Sequence, residues 1–467
     1  MMYSCVFPRA NHLLRQIPPA LARHSAEQHD YVTARGLAAL LQVDALDDTT
    51  WRQCRLPIRL SGLGLRNSVR TSPAAYWASW ADSLPTLHRR FPLFAARVGG
   101  ALMADPGDGS QLDDIPCLAE LSRARQTLLR DCPALPTWAE VIGGATPTEL
   151  MEDADEIMPG EWSGGWQYVA SNKLEKSEHA ALLRGSRADA TRIRSCGGPH
   201  SGQWLTTAPS SDRLALRCPV MQILLRRRLG LVVDPVSTSC EAPRCGAQLD
   251  GKGHHRSACT RTGRIHGRHA AAVGPWQQVL SEASYRTHTE RLLRNTHLAV
   301  RPADQRRMDL VAAPGARGIG ARRGLSLFCD ITIVSPLTRN GVSRNGARHT
   351  DGAMVAAAAR RKHAHYADID ASGIAAFIVL GSEVFGRWGA EALKLVSDLA
   401  ALKARSAPPL LRQSARAAWT SRWWGILSIG TQRAIGEALL CPNGADLIAG
   451  TTLADPPPIT DIITDMM

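Results

Sequence analysis

Two aspartates and a lysine are the residues of this sequence best suited to chemistry, and Asp330 raises the first question. It lies inside the apolar run "LSLFCDITIVSP", residues 325–336, which has the composition of a buried strand. Strand alternation predicts one face with Leu327, Cys329, Ile331 and Ile333, and another with Phe328, Asp330, Thr332 and Val334. Because burying an unpaired carboxylate is costly, Asp330 needs a cation, hydrogen-bond donors or a metal ion as its partner.

A second aspartate could share that metal ion. Asp309 lies in "RRMDLVAAPGARGIGARRG", where residues 306–313 predict a short strand and the Gly- and Arg-rich segment 314–324 predicts a hairpin connection. Alternation then gives two faces, one with Met308 and Leu310 and the other with Asp309 and Val311. If the strands pair antiparallel, Asp309 and Asp330 converge and repel unless a divalent cation lies between them. Carboxylate oxygens are hard ligands, which favours Mg²⁺.

Two further residues complete a candidate site for phosphodiester hydrolysis. Lys362 lies on a predicted alanine-rich helix, where it could orient a water molecule or stabilise a phosphorane-like transition state. Glu290, in "THTERLLRN", lies on a predicted helix over residues 276–294 and could add an acid. Taken singly, such residues are usually solvated or hydrogen-bonded structural groups. Their order of helix Glu, strand Asp, strand Asp and helix Lys indicates a metal-dependent nuclease.

The segment "CEAPRCGAQLDGKGHHRSAC" contains the ligand types of a zinc site, namely Cys240, Cys245, His254, His255 and Cys259. Three thiols and one imidazole close a tetrahedral shell around Zn²⁺, and the spacing leaves open which histidine takes part. The segment has few apolar residues, so a metal would order it; structural zinc contributes roughly 10–16 kcal/mol in zinc-finger peptides. Coincidence among eleven cysteines is the alternative. Such a closed site would be structural or contact nucleic acid.

The charge of the chain favours a polyanionic partner. The formal net charge is +13 over 467 residues, and nucleic acid is the simplest such partner, with a generally basic proteome as the plain alternative. We predict nucleic-acid contacts from Arg226, Arg227, Arg228, Arg264, Arg268, Arg322 and Arg323. No secretory signal or membrane-spanning run is evident, which indicates an intracellular protein with reduced thiols and no membrane partner.

The composition along the chain predicts a multidomain protein that combines helical regions with an α/β unit. The predicted regions are a helical region (1–105), a partly irregular helical linker (106–235), the zinc knuckle (236–262), the α/β unit (263–404), C-terminal helices (405–450) and a flexible tail (451–467). Within the α/β unit the predicted order is helix 276–294, strand 306–313, strand 325–334, helix 353–367, strand 373–380 and helix 387–404.

These residues resemble the C-terminal part of non-LTR retrotransposon polyproteins that carry a restriction-like endonuclease. The resemblance lies in "CGAQLDGKGHHRSAC", "GRHAAAV", "RRMDLVA", "FCDITIVSPLT", "ARRKHAHYA" and "GSEVFGRWGAEALKLVSDLA". It implies a Cys-Cys-His-Cys knuckle followed by a PD-(D/E)xK restriction-like domain. The segments "FPRANHLLRQIPPALARHSAEQHD" and "LPIRLSGLGLRNS" are similar to the thumb-like and linker region that follows the polymerase palm.

The resemblance also implies roles for single residues. Asp309 and Asp330 match the two family aspartates, and Lys362 matches the lysine that this family has on the following helix. Tyr366 matches the aromatic residue after that lysine, and Thr332 stands where the simpler D-x-K pattern has its lysine. The sequence departs from the pattern in three places: Met308 replaces proline, the gap between the aspartates is long, and four residues separate the first two knuckle cysteines.

The function implied is that of a nuclear, Mg²⁺-dependent DNA endonuclease module with a structural Zn²⁺. It would nick target DNA, and the 3′-OH would prime reverse transcription by a polymerase encoded elsewhere, because this chain lacks a polymerase motif of paired aspartates. DNA and the element's RNA would be its partners. One alternative is a catalytically decayed nucleic-acid-binding remnant of the same element. Another is a helical interaction protein with a structural zinc.

Overall fold

The computed structural model describes residues 7–103, 115–147, 165–233, 239–240, 242, 245–314 and 325–440. These residues divide into two compact units, 7–182 and 183–440. The predicted C-terminal tail, the acidic stretch within 151–162 and most of the predicted hairpin connection lie outside the described residues.

The first unit consists of helices around an aromatic core. Trp77 packs against Trp166 and Trp138, with ring centroids 5.6 Å and 6.3 Å apart. The helical character predicted for the first 105 residues is confirmed over residues 7–103. The helices are Phe7–Gln16 (α1), Pro19–Leu41 (α2), Asp48–Arg55 (α3), Ser68–Arg90 (α4), Pro92–Met103 (α5), Pro116–Leu129 (α6), Trp138–Ile142 (α7) and Trp166–Leu182 (α8).

The second unit mixes helices with one four-stranded sheet, which confirms the predicted combination of helical and α/β structure. Its helices are Arg187–Cys196 (α9), Cys218–Leu229 (α10), His254–Ala258 (α11), Arg264–Glu282 (α12), Ala353–His365 (α13), Ala367–Ala371 (α14), Ala390–Ala404 (α15) and Arg412–Leu439 (α16). Its strands are Tyr285–Leu292 (β1), Arg307–Pro314 (β2), Ser326–Val334 (β3) and Ala375–Glu383 (β4).

The sheet has the strand order β1-β2-β3-β4. The first three strands are antiparallel neighbours, and β4 runs parallel to β3 after a crossover through α13 and α14. The pairing of β2 with β3 covers Leu310–Cys329, Val311–Phe328 and Ala312–Leu327. A parallel pair needs a long helical crossover, and this crossover brings α13 over one face of the sheet.

Each face of the sheet has its own apolar layer. Leu327, Cys329 and Ile331 belong to a cluster with residues of α12, α15 and α16, while Phe328 belongs to a cluster with Tyr366. The alternation predicted for this strand is therefore confirmed. The predicted pairing of Met308 with Leu310 on one face is wrong, because Met308 lies in the Phe328 cluster.

The backbone explains that error. Glu290, which faces Asp309 across β1 and β2, has φ of 51° and makes no ladder pair there. The left-handed backbone interrupts the regular pleat on which strict alternation depends.

The predicted helix over residues 276–294 is confirmed only over residues 276–282 and is wrong beyond them. The helix α12 begins at Arg264 and ends at Glu282. The chain then turns into β1 at Ser284, which has a φ of 71°. Pro275 lies inside the helix, where its ring packs against α16 at Gly430. A proline at the start of a helix is common, so the sequence pattern predicts a start at 276. Glu290 consequently lies on a strand.

Among the described residues, none of the helices is both long enough and apolar enough to cross a membrane.

Candidate metal centre and catalytic cluster

Asp309 and Asp330 meet where β2 and β3 separate. The last described pair of these strands is Leu310–Cys329, so Asp309 and Asp330 are the next residues on either strand. The described ladder stops one residue earlier, and Asp309 Oδ2 instead accepts the backbone N–H of Ile331 at 2.7 Å. The first carboxylate is thus held against the strand that carries the second.

Asp330 has the partner that its burial requires. Its carboxylate is 4% exposed, and Oδ2 accepts a hydrogen bond from Lys362 Nζ at 2.7 Å. Burial raises the pKa of Asp330, the Lys362 cation opposes that rise, and the Asp309 carboxylate adds to it. The Oδ1 atom is buried and has no hydrogen-bond partner among the described residues. One oxygen of this buried carboxylate is therefore still available to a ligand.

Lys362 reaches Asp330 from α13. It shares a helix face with the buried residues Ala358 and Tyr366, while its own side chain is 40% exposed. Thr332, two residues after Asp330 on the strand, is half-buried. The ammonium group therefore lies between the buried carboxylate and solvent.

His269 belongs to this cluster, and sequence reasoning missed it. Its Nε2 lies 3.0 Å from Asp309 Oδ2, and this hydrogen bond raises the pKa of His269. The residue lies on the first turns of α12, which the predicted helix start at 276 excluded. In the sequence, only its position in "GRHAAAV", upstream of Asp309, could have indicated that it belongs to the site. We refer to Asp309, Asp330, Lys362 and His269 as the acid cluster.

Glu290 does not extend the acid cluster. Its side chain is 49% exposed and pairs with Arg307 at 3.4 Å. Among the described residues, the only group of three or more Cys, His, Asp or Glu whose ligand atoms all lie within 4.8 Å is at the knuckle. The acid cluster thus supplies two carboxylates, and the assignment of Glu290 as a third acid does not hold because it lies on the strand β1.

The knuckle brings four ligand atoms to one point: Cys240, Cys245, His255 and Cys259. Cys259 Sγ lies 3.9 Å from Cys240 Sγ and 3.8 Å from Cys245 Sγ, and Cys245 Sγ lies 3.4 Å from His255 Nε2. Tetrahedral zinc with Zn–S bonds of about 2.3 Å and Zn–N bonds of about 2.0–2.1 Å gives S···S separations near ~3.8 Å and S···N near ~3.5 Å. The cluster could therefore bind a metal such as zinc.

The structure distinguishes between the two histidines. His255 faces the thiols, whereas the ring of His254 packs against Gly341, where an added Cβ would lie 2.9 Å from His254 Cδ2. Asp250 positions the turn, since its carboxylate accepts the backbone N–H groups of His254 at 2.9 Å and His255 at 2.7 Å. Burial lowers the pKa of both imidazoles, that of His254 to about 4, and a neutral imidazole is the form that binds metal.

Several arginines that the sequence assigns to nucleic acid are buried. Arg227, Arg228 and Arg268 are 2–5% exposed, so the predicted phosphate contacts are wrong for these three. Arg268 donates to the backbone oxygens of Ser257 and Ile333 at 3.0 Å and 3.3 Å, which joins α12 to the knuckle and to β3.

Arg227 lies over the ring of Phe385 at 4.6 Å, and burial lowers its pKa to about 9. Arg226 and Arg264 are half-buried, and Arg322 and Arg323 lie outside the described residues. The clustering of arginines in the sequence does not show which of them the fold buries.

No protein-family model matches this chain, and no curated protein matches it in sequence.

Proposed function

We propose that this chain is a metal-dependent DNA endonuclease of the PD-(D/E)xK type. The observation that carries the proposal is the acid cluster, in which Asp309 accepts the backbone N–H of Ile331, the residue after Asp330, while Lys362 contacts Asp330. Two carboxylates on adjacent inner strands and a lysine on the helix that covers them are the equipment of phosphodiester hydrolysis. The order helix, three strands, helix and strand supports that fold type.

The donor set fits Mg²⁺. Asp330 Oδ1 is a buried oxygen without a partner among the described residues, and Asp309 is hydrogen-bonded to the backbone of the next residue, Ile331. Oxygen ligands from one or two carboxylates, completed by water and phosphate, suit this cation. When bound, Mg²⁺ would neutralise charge on the phosphate and lower the pKa of a water molecule.

The residues of the chain would then have separate tasks. Asp309 and Asp330 would hold the ion, and His269 would keep the Asp309 carboxylate in one orientation through its hydrogen bond. Lys362, with its partly exposed ammonium group, would orient the attacking water and stabilise negative charge as it develops on the phosphate.

The biological setting follows the resemblance to non-LTR retrotransposon polyproteins. The enzyme would act in the nucleus, nick one strand of target DNA, and leave a 3′-OH for a reverse transcriptase encoded elsewhere. DNA and element RNA would be its partners. The knuckle, with tetrahedral spacing of its ligands, would hold a structural Zn²⁺.

One observation favours a second candidate, a nucleic-acid-binding remnant without catalysis. Lys362 and Asp330 neutralise each other directly, so the pair could be a buried structural contact rather than part of a metal site. Met308 in place of proline, and the interrupted pleat beside it, distort the strand that carries Asp309.

A nicking assay on supercoiled plasmid separates these functions. Wild-type protein with Mg²⁺ should convert supercoiled DNA to the open circle, and chelation should stop it. Asp309→Ala, Asp330→Asn and Lys362→Met should each lose at least about 10²-fold in rate, as removal of catalytic groups does. Arg301→Ala, at an exposed position outside the acid cluster, is the matched control.

Thermal melting would exclude unfolding as the cause of lost activity. Wild-type protein that binds DNA but never nicks it, with any divalent metal, would establish the remnant in place of the nuclease.

A further inference from the structure

A second feature of the 183–440 unit is a groove of about 790 Å³ that the acid cluster does not explain. It is bounded by the loop 210–214, by α12 and by α16. Its volume is within the range of roughly 300–1,000 Å³ that is typical of ligand sites. The lining includes no carboxylate.

The lining is cationic and rich in hydrogen-bond donors. Three arginines reach it, Arg213, Arg422 and Arg433, together with Ser210, Ser211, Ser281, Gln277 and Gln278. The Arg213 side chain is exposed, and within the described part of the chain it makes no ion pair. Guanidinium, amide and hydroxyl groups are donors that bind phosphate oxygens, although Glu282, outside the lining, already accepts hydrogen bonds from Arg422 and Gln278.

Two of the arginines are fixed by the fold. Arg422 donates two hydrogen bonds to Glu282, at 2.9 Å and 2.8 Å. Arg433 donates through one nitrogen to the backbone oxygens of Asp212, Arg213 and Ala215, at 2.7–3.0 Å, which ties the loop to α16. Donors that are already held in place bind a ligand with a smaller loss of side-chain entropy.

The floor of the groove is rigid as well. Gly430 of α16 lies so close to Pro275 of α12 that a Cβ at Gly430 would be 2.2 Å from the proline ring. Gly274, one residue before the proline, has open space where its Cβ would be. The two helices therefore form a stable base, and the open side of the groove begins at Gly274.

We propose that this groove is a binding site for phosphate groups, and that its occupant is a short segment of single-stranded nucleic acid. The volume of about 790 Å³ suits a short piece of one strand rather than a duplex. Binding here needs no hydrolysis, so it stands independently of the proposed nuclease. The same donors would also bind a free phosphate compound, and the experiment below distinguishes that ligand from nucleic acid.

The test is fluorescence anisotropy with a labelled single-stranded oligonucleotide, in chelator so that no cleavage occurs. Arg213→Glu removes the exposed cation, and Gly274→Glu places a carboxylate where the groove is open. Each should weaken binding by about tenfold, equivalent to ~1.4 kcal/mol for a lost charge-assisted contact. Arg301→Glu, the same charge change at an exposed site elsewhere, should weaken it by less than about threefold.

Conservative variants and competitors complete the design. Arg213→Lys and Gly274→Ala should bind nearly as wild type does.

Competition with inorganic pyrophosphate identifies the occupant. Displacement of the oligonucleotide only at millimolar pyrophosphate supports nucleic acid. Competition by pyrophosphate at micromolar concentration would overturn that assignment in favour of a free phosphate compound. Groove variants that lose no more affinity than Arg301→Glu would overturn the site itself. Since this binding is measured in chelator and the nicking assay needs Mg²⁺, failure here and failure of the nuclease are separable.

Discussion

The most informative single residue is His269, because its role depends on one hydrogen bond. Its Nε2 holds Asp309 Oδ2 at 3.0 Å, beside the backbone N–H of Ile331 at 2.7 Å. Two donors on one oxygen fix the orientation of the carboxylate. In metal sites, loss of such an outer contact typically lowers affinity or activity by about 10–100-fold.

We therefore expect His269→Ala to weaken Mn²⁺ binding and plasmid nicking by about tenfold or more. His269→Gln retains an Nε2 donor at a similar reach and should recover most of both. Metal affinity is measured by titration calorimetry, and nicking is measured on the same samples. If the glutamine variant behaves like the alanine variant while both melt as wild type does, His269 does not position Asp309.

A matched pair of histidines tests the knuckle. His255→Ala removes the imidazole that lies 3.4 Å from Cys245 Sγ, and should reduce zinc content from about one ion per chain and loosen the knuckle. His254→Ala removes the neighbour that packs against Gly341 and should keep the zinc. Metal analysis by mass spectrometry gives the stoichiometry of each variant. Equal zinc loss in both variants, or wild-type protein without zinc, would contradict the assigned ligand set.

At the scale of elements, the close crossing of α12 and α16 at Gly430 gives a matched prediction. A methyl group at Gly430 would lie 2.2 Å from Pro275, whereas one at Gly274 meets nothing within 4 Å. Gly430→Ala should destabilise the unit by about 1–3 kcal/mol through overpacking. Gly274→Ala should be neutral or stabilise it by up to ~1 kcal/mol, as expected for alanine in a helix.

Urea denaturation monitored by tryptophan fluorescence measures both changes in free energy of unfolding. The crossing would be looser than described if the two alanine variants had equal stability.

The edge of the sheet shows what sequence patterns leave out. Within the described sheet β4 is the last strand, and its outward N–H groups at Phe377 and Val379 are capped by Asp370 at 2.8 Å and Glu391 at 2.9 Å. His363 Nε2 lies 2.9 Å from Glu391 and joins this edge to α13. Capping by carboxylates keeps an exposed edge from pairing with another chain. These contacts join three elements, so no local pattern predicts them.

The sequence predicted the strands β2, β3 and β4 well because apolar alternation and a β-branched composition are local properties. It misplaced both ends of α12 and missed β1, because Pro275 resembles a helix start and the left-handed turn at Ser284 has no strong local signal. In the acid cluster, Asp330 was predictable as a charge in an apolar strand. His269 was not, since its contact with Asp309 depends on where a helix begins.

At the scale of the whole molecule, the net charge of +13 says less about DNA binding than its distribution does. The fold buries Arg227, Arg228 and Arg268 and leaves other cations, such as Arg360 and Arg361 of α13, exposed beside Lys362. A buried guanidinium cannot release a counterion from DNA, whereas an exposed one near the substrate can. Exposure, rather than arginine count, should therefore determine the salt dependence of binding.

The salt dependence can be measured one arginine at a time. Duplex DNA binding should weaken as salt rises, with a slope of log affinity against log salt that is about −0.9 for each phosphate contact. Arg361→Gln should make that slope shallower by roughly 0.9 if this exposed cation lies on a phosphate. Arg227→Met, at a side chain 3% exposed beneath Phe385, should leave the slope unchanged. Anisotropy titrations in chelator at several salt concentrations give both slopes, and melting curves verify that the variants are folded. If Arg227→Met changed the slope and Arg361→Gln did not, the DNA would lie away from α13. The acid cluster would then lie outside the nucleic-acid surface.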